Sequence, residues 1–105
     1  SRFAKIKKSL QKIGLKVVEM SPLEHDRAIS RSQLFTHLIG RLMEAMNLGP
    51  TEIDTLSFQN LLEVKRVVVN DSLDLFIDMN KFNPFARSIR QELKQRLINL
   101  GRILE

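Results

Sequence analysis

The stretch from Ser21 to Met46 most strongly limits what this chain can fold into. It opens with a serine N-cap, a proline at the first helical position and Glu24, which completes a capping box. Apolar residues then recur at helical spacing on two adjacent lines: Leu34, Leu38, Leu42 and Ala45, and Phe35, Ile39, Met43 and Met46. Asn47, Gly49 and Pro50 predict its end. We therefore predict one continuous helix of about 25 residues, on the order of 37 Å long.

Both histidines of the protein lie on this stretch. A continuous helix would separate His25 from His37 by about 18 Å along its axis and about 120° around it. The two imidazoles then could not hold one metal ion or one small ligand unless the helix breaks. His37 shares a polar stripe with Asp26, Ser30, Gln33 and Arg41. Spacing alone favours the solvent-exposed side of the helix for this stripe.

These residues carry a family resemblance. His25-Asp26-Arg27, followed twelve residues later by His37 within the segment 33–41, resembles the prephenate and arogenate dehydrogenases of tyrosine biosynthesis, most closely the arogenate-type members. In that family a His-Asp pair opens the first long helix of the C-terminal helical domain. The resemblance spans roughly residues 15 to 86 and includes the segments 50–55 and 71–76.

The resemblance implies a nicotinamide-dependent oxidoreductase that acts on prephenate or arogenate. Hydride would leave the ring carbon that bears the hydroxyl group, the ring carboxylate would depart as carbon dioxide, and the ring would become aromatic. It also implies a homodimer in which this chain supplies substrate-binding residues and the dimer interface. NAD or NADP would be held mainly by a missing N-terminal domain, so the fragment alone is expected to bind no cofactor and to be inactive.

The resemblance also implies a set of substrate-binding residues. His37 would lie in the substrate pocket with Gln33 and Arg41 as neighbours. Arg66 stands five residues before Asp71, where prephenate-type members place an arginine that binds a substrate carboxylate through its planar fork. Lys65 could take that place if the register shifts by one. His25 either binds ligand or fastens the helix start to the missing domain. We predict no catalytic residue and no metal site, since the chain also lacks cysteine.

The N-terminal residues predict a second unit. Apolar positions over residues 3–13 indicate a short amphipathic helix that Gly14 ends, and residues 15–20 read as a strand rich in β-branched side chains. A lone helix and strand cannot form a sheet. We therefore predict that residues 1–20 are the last helix and strand of a truncated dinucleotide-binding domain, and that residues 21–105 form an all-helical dimerisation and substrate-binding domain.

Three further helices complete a mainly α-helical fold of about four helices. One runs to about Asn70 after a cap at Asp54, Thr55 or Ser57. The next begins after Asp71 or Ser72, with Leu73, Phe76, Ile77 and Met79 turned inward. Asn83 would cap the last, with Pro84 at its first position. Its apolar stripe has near-heptad spacing suited to a partner helix: Phe85, Ile89, Leu93, Leu97, Leu100 and Leu104.

The formal net charge of +5 leaves an alternative open, a free-standing basic helical module that binds a protein or a nucleic acid. The chain has no tryptophan or tyrosine to stack on bases and no nucleic-acid-binding motif, so we expect solvated helix faces and no nucleic-acid partner. No apolar run approaches the roughly 20 residues of a membrane span. We expect no membrane partner and, since no signal peptide is recognisable, a cytoplasmic protein.

Overall fold

The computed structural model describes residues 2–12, 14 and 19–105. This part of the chain is mainly helical and contains no strand. The helices are α1 Arg2–Lys12, α2 Pro22–Ser30, α3 Gln33–Ala45, α4 Leu56–Asn70, α5 Leu73–Phe82 and α6 Ala86–Leu104. Most of the predicted strand, residues 15–18, lies outside the described residues, and Glu19 and Met20 have no regular structure. The prediction of a truncated dinucleotide-binding domain over residues 1–20 therefore stays a prediction.

The prediction of one continuous helix from Ser21 to Met46 is wrong. The helix breaks at Arg31 and Ser32, between α2 and α3. At the break, Ser30 Oγ donates to the carbonyl of Arg27 at 2.7 Å and Ser32 Oγ donates to the carbonyl of Ala28 at 2.7 Å. Such back-bonding competes with the backbone hydrogen bonds of a helix. The separation of about 18 Å predicted for the two histidines assumed a continuous helix and therefore does not apply to this structure. The break also gives the described chain five helices after residue 20, where we predicted about four.

The helix ends follow local capping chemistry. Ser21 and Glu24 form the predicted capping box, with the Glu24 amide donating to Ser21 Oγ at 3.1 Å and the Ser21 amide donating to Glu24 Oε2 at 3.2 Å. Thr55 caps α4 and Ser72 caps α5. Asn47 ends the helix that precedes it by adopting a left-handed φ of 57°, a conformation that asparagine tolerates better than most residues.

The start of the last helix differs from the prediction. α6 begins at Ala86, three residues after Asn83, and its N-cap Phe85 provides no side-chain hydrogen bond. Asn83 instead joins two parts of the fold: its Nδ2 donates to the carbonyl of Asp26 at 2.9 Å, and its Oδ1 accepts from the amide of Phe85 at 2.9 Å. Asn83 therefore fixes α2 against the turn between α5 and α6.

The core lies where α3 meets α4, α5 and α6. Leu34, Ala86 and Ile89 form its centre, with Leu38 and Met79 packed against them. Arg31 holds α2 to α6 through two hydrogen bonds to the Glu92 carboxylate, at 3.2 and 3.3 Å, and these hold the pKa of Glu92 below its usual value. Leu73 and Ile77, which we predicted to face inward, are exposed.

α3 and α4 pack most closely at Gly40. A Cβ atom added there would lie 2.6 Å from Val68 Cβ, closer than side-chain atoms approach one another in proteins. Val68 is itself fully buried. The missing side chain at Gly40 therefore allows α4 to pack against the middle of α3, one turn after His37 and directly before Arg41.

Candidate functional site

The close contact between α3 and α4 places His37 at the wall of a cavity of about 420 Å³. The cavity is lined by Gln33, Thr36 and His37 from α3, by Glu63, Val64, Val67 and Val68 from α4, and by Asp71 at the end of α4. One side is therefore polar and the other is a row of valines. A volume of this order is typical of a small-molecule site, for which about 300 to 1,000 Å³ is usual.

His37 is buried, with 9% of its side chain exposed. Its Nε2 lies 3.9 Å from Asp71 Oδ2, and its Nδ1 has no hydrogen-bond partner among the described residues. The interpretation that spacing alone favoured, a solvated side of the helix, is therefore wrong for this residue. Ser30, on the same predicted stripe, is also buried, whereas Gln33 is exposed at the start of α3.

Arg41 lies one turn after His37 and is half-buried. Its Nη2 donates to the backbone carbonyl of Asp71 at 2.8 Å, and its guanidinium carbon lies 5.4 Å from the centroid of the Phe76 ring. Arg41 is absent from the described residues that line the His37 cavity. Asp71 is therefore the residue that joins Arg41 to His37.

Arg66 lies in a different part of the surface. It lines a groove of about 800 Å³ between the α3–α4 loop and α4, together with Lys65 and Glu63. The Arg66 guanidinium donates to both carboxylate oxygens of Glu63, and this hydrogen bonding holds the pKa of Glu63 below its usual value. Lys65 contacts Glu44 Oε2 at 3.4 Å and donates to the carbonyl of Leu48. The structure does not bring either cation into the His37 cavity, although Glu63 lines both spaces.

His25 is exposed on the first turns of α2, with its Nδ1 3.6 Å from Asp26 Oδ1. It is absent from the described residues that line the His37 cavity. Of the five predicted substrate-binding residues, the structure brings His37 and Gln33 into one cavity and joins Arg41 to it through Asp71. The substrate-binding roles of all five residues stay predictions.

Sequence reasoning did not assign Glu63, the valines or Asp71 to the site. Sequence spacing placed Asp71 near the start of a helix, five residues after Arg66, and gave it no role in the site. Gly40 gave a usable signal, because a glycine three residues after His37 inside a helix indicates close packing of another element on that face.

The described residues contain neither a candidate metal site nor a candidate membrane-spanning helix. They contain no group of three or more histidine, cysteine, aspartate or glutamate side chains placed to hold a metal ion. None of the described helices is both long enough and apolar enough to pass through a membrane.

Comparison with known proteins identifies the family of this chain. Residues 42–105 match the family described as TYRAAT1-like, C-terminal domain. The chain is 41% identical to arogenate dehydrogenase 1, chloroplastic, of Arabidopsis thaliana over 73 residues, which cover 70% of this chain and 11% of that protein. The chain belongs to the arogenate dehydrogenase family. Arogenate dehydrogenase 2, chloroplastic, of the same plant is 33% identical over 95 residues, which cover 80% of this chain and 26% of that protein.

The chain therefore spans about a tenth of one arogenate dehydrogenase and about a quarter of the other. The matched family is a C-terminal domain, and the matched residues 42–105 include the last turn of α3 and all of α4 to α6. The predicted family and the mainly helical C-terminal domain are confirmed.

Proposed function

We propose that this chain is the substrate-binding and dimer-forming part of an arogenate dehydrogenase, an enzyme that forms tyrosine by oxidative decarboxylation. The buried imidazole of His37 at the wall of an open cavity carries the proposal. Family membership adds support, since both plant relatives are named arogenate dehydrogenases. The alternative of a free-standing basic module explains the charge of +5 but gives no account of this cavity.

The cavity suits a small ring that carries charged groups. Val64, Val67 and Val68 offer an apolar wall against which a six-membered ring can pack, while Gln33 and His37 offer hydrogen bonds at the opposite wall. In this role the imidazole and the amide orient the ring and keep its reacting carbon at one position. The chain thereby contributes binding and orientation, which is the means by which a positioning domain accelerates a reaction.

The charges of the cavity favour arogenate over prephenate. Its described lining contains the carboxylate of Asp71 and that of Glu63, which pairs with Arg66 outside the lining, and it contains no lysine or arginine. Prephenate carries two carboxylates and a ketone, whereas arogenate carries an ammonium group in place of the ketone. A carboxylate attracts a nearby ammonium and repels another carboxylate. We infer that the amino-acid end of arogenate lies toward the acidic part of the cavity.

A nicotinamide cofactor does not fit the residues present. Binding its pyrophosphate takes a glycine-rich turn that opens a helix, and this chain has only four glycines. Gly40 and Gly101 lie inside helices, whereas Gly14 and Gly49 follow helix ends. We infer that another part of the full-length protein holds NAD or NADP and the residues that act on the hydroxyl group.

The first experiment compares the two substrates with the full-length enzyme. We expect a kcat/KM at least tenfold higher for arogenate than for prephenate. Glu63→Gln should narrow that preference, whereas Glu44→Gln, a carboxylate outside the His37 cavity, should leave it unchanged. A preference for prephenate that Glu63→Gln does not alter would contradict this assignment of substrate.

We also infer a homodimer through the exposed apolar side of α6. Leu97, Leu100 and Leu104 continue the stripe that begins at the buried Ile89, and all three are exposed, Leu104 by 83%. Apolar stripes at this spacing pack against a partner helix. A cytoplasmic location stays a prediction, since the names of both relatives place those proteins in the chloroplast.

A further inference from the structure

Arg41 is held in place by two contacts that lie outside the His37 cavity. Its Nη2 donates to the carbonyl of Asp71 at 2.8 Å, and its guanidinium lies over the Phe76 ring at 5.4 Å from the centroid. A guanidinium can make both contacts together, because it is planar and carries its donors at the edge of the plane. Arg41 therefore ties α3 to the end of α4 and to the second turn of α5.

Asp71 is positioned by its backbone. It is the C-cap of α4, with an extended conformation and an amide that donates to the carbonyl of Val68 at 3.2 Å. Its carbonyl accepts from Arg41, while its side chain extends to the His37 cavity. The Asp71 backbone and side chain thus contact two different residues of α3, one turn apart.

The contact between Asp71 and His37 is sensitive to position. The distance of 3.9 Å between Asp71 Oδ2 and His37 Nε2 exceeds that of a hydrogen bond, so the interaction is electrostatic. Its strength falls as the distance grows, and it acts on a side chain that is largely removed from water. A carboxylate beside Nε2 favours a proton on that nitrogen, which distinguishes it from Nδ1.

We propose that Arg41 is a positioning residue that acts on His37 through Asp71. Arg41 fixes the Asp71 backbone, the Asp71 carboxylate then stays beside Nε2, and the imidazole ring keeps one orientation at the wall of the cavity. The proposal rests on the proposed function for its kinetic consequence, but its effect on the imidazole can be measured without any substrate.

A double-mutant cycle in the full-length enzyme tests the kinetic consequence. The variants are Arg41→Met, His37→Gln and the two combined, each checked by a thermal melt. We expect Arg41→Met to lower kcat/KM for arogenate about tenfold, and to have almost no further effect once His37 is replaced. Independent effects, whose product equals the loss in the combined variant, would overturn the proposal.

Two further variants separate positioning from a general loss of stability. Arg90→Met is the matched control, because Arg90 also joins two helices, through a 2.9 Å hydrogen bond to Asn80 Oδ1, on a part of the domain away from the cavity. It should leave kcat/KM within about twofold. Arg41→Lys keeps a donor and should restore part of the loss seen in Arg41→Met. If Arg90→Met is as damaging to kcat/KM as Arg41→Met, the proposal fails.

Imidazole ¹⁵N spectra of the full-length protein test the structural step alone. The chain's two histidines are assigned with His25→Gln and His37→Gln, and those of the rest of the protein stay as unchanged references. We expect Arg41→Met to change the two nitrogen shifts of His37 in the same sense as Asp71→Leu does, and both variants to leave the shifts of His25 unchanged. An unaltered His37 spectrum would overturn the proposal even in an active enzyme. A shifted spectrum in a protein that does not oxidise arogenate would contradict the proposed function alone.

Discussion

At the scale of single residues, the two histidines of this chain differ in burial and in their position relative to the cavity. His37 is buried and lines a cavity, whereas His25 is exposed beside Asp26. A buried polar atom without a partner destabilises the folded protein by roughly 1 to 3 kcal/mol. His37 Nδ1 is such an atom among the described residues, whereas His25 is exposed to water.

The residue-scale prediction concerns these two histidines in the full-length enzyme. A hydrogen bond to a charged group contributes roughly 1.5 to 3 kcal/mol. His37→Gln should therefore lower kcat/KM for arogenate by about tenfold to a hundredfold. The KM for the cofactor should hardly change if, as we infer, another part of the full-length protein holds the nucleotide.

His25→Gln is the control, and steady-state kinetics with both substrates provides the measurement. We expect a smaller loss of kcat/KM, because His25 lies outside the His37 cavity. A near wild-type His37→Gln enzyme beside a strongly impaired His25→Gln enzyme would mean that the roles are reversed.

At the scale of helices, the packing of α3 against α4 depends on the absence of one side chain. Gly40 faces Val68, and the site residues His37 and Asp71 lie together one turn from this contact, His37 before it on α3 and Asp71 after it at the end of α4. Protein interiors are close-packed, so an extra methyl group here must displace α4 or strain Val68.

The element-scale prediction is that Gly40→Ala destabilises the domain by about 1 to 3 kcal/mol. Gly101→Ala is the matched control. Its new Cβ would meet nothing within 4 Å, and alanine is favoured over glycine inside a helix by up to about 1 kcal/mol. Urea unfolding of both variants measures the difference. Equal stability of the two variants would show that α3 and α4 are not in close contact at Gly40.

At the scale of the whole molecule, the described residues bury few apolar side chains for their number. The buried ones are Leu34, Met43, Val68, Ala86 and Ile89. The apolar side chains of α6 beyond Leu93 are exposed. The radius of gyration is 18.0 Å, against about 13 Å for a compact domain of this length. Large exposed apolar surfaces on a folded chain indicate contact with another protein surface.

The molecule-scale prediction is that the protein is a dimer at micromolar concentration. Leu100→Glu should shift it toward monomer, because a carboxylate would be buried in the interface without a partner. Gln95→Glu adds the same charge at a position outside the apolar stripe of α6 and should leave the dimer intact. Sedimentation equilibrium measures the masses. A wild-type protein that sediments as a monomer, or a Leu100→Glu protein that remains fully dimeric, would contradict the proposed interface.

The sequence by itself determined the features that depend on neighbours along the chain. The capping box at Ser21 and the stop at Gly14 formed as predicted, and Thr55 is one of the three predicted caps of α4, because these hydrogen bonds and dihedral angles involve residues within a turn. The family resemblance carried by His25, Asp26 and His37 was likewise confirmed. The serine hydrogen bonds at the break near Arg31 and Ser32 are also local, but helical spacing alone did not predict the break.

Tertiary structure alone decided the site. Whether the stripe through His37 met solvent or protein depended on α4, which approaches because Gly40 lacks a side chain. Arg41 and Asp71 meet across 30 residues of sequence, and Arg31 meets Glu92 across 61. Helical spacing predicts which residues share a face, but which face is buried depends on the elements that pack against it. That choice comes from non-local contacts, so it became known only with the arrangement of all the helices.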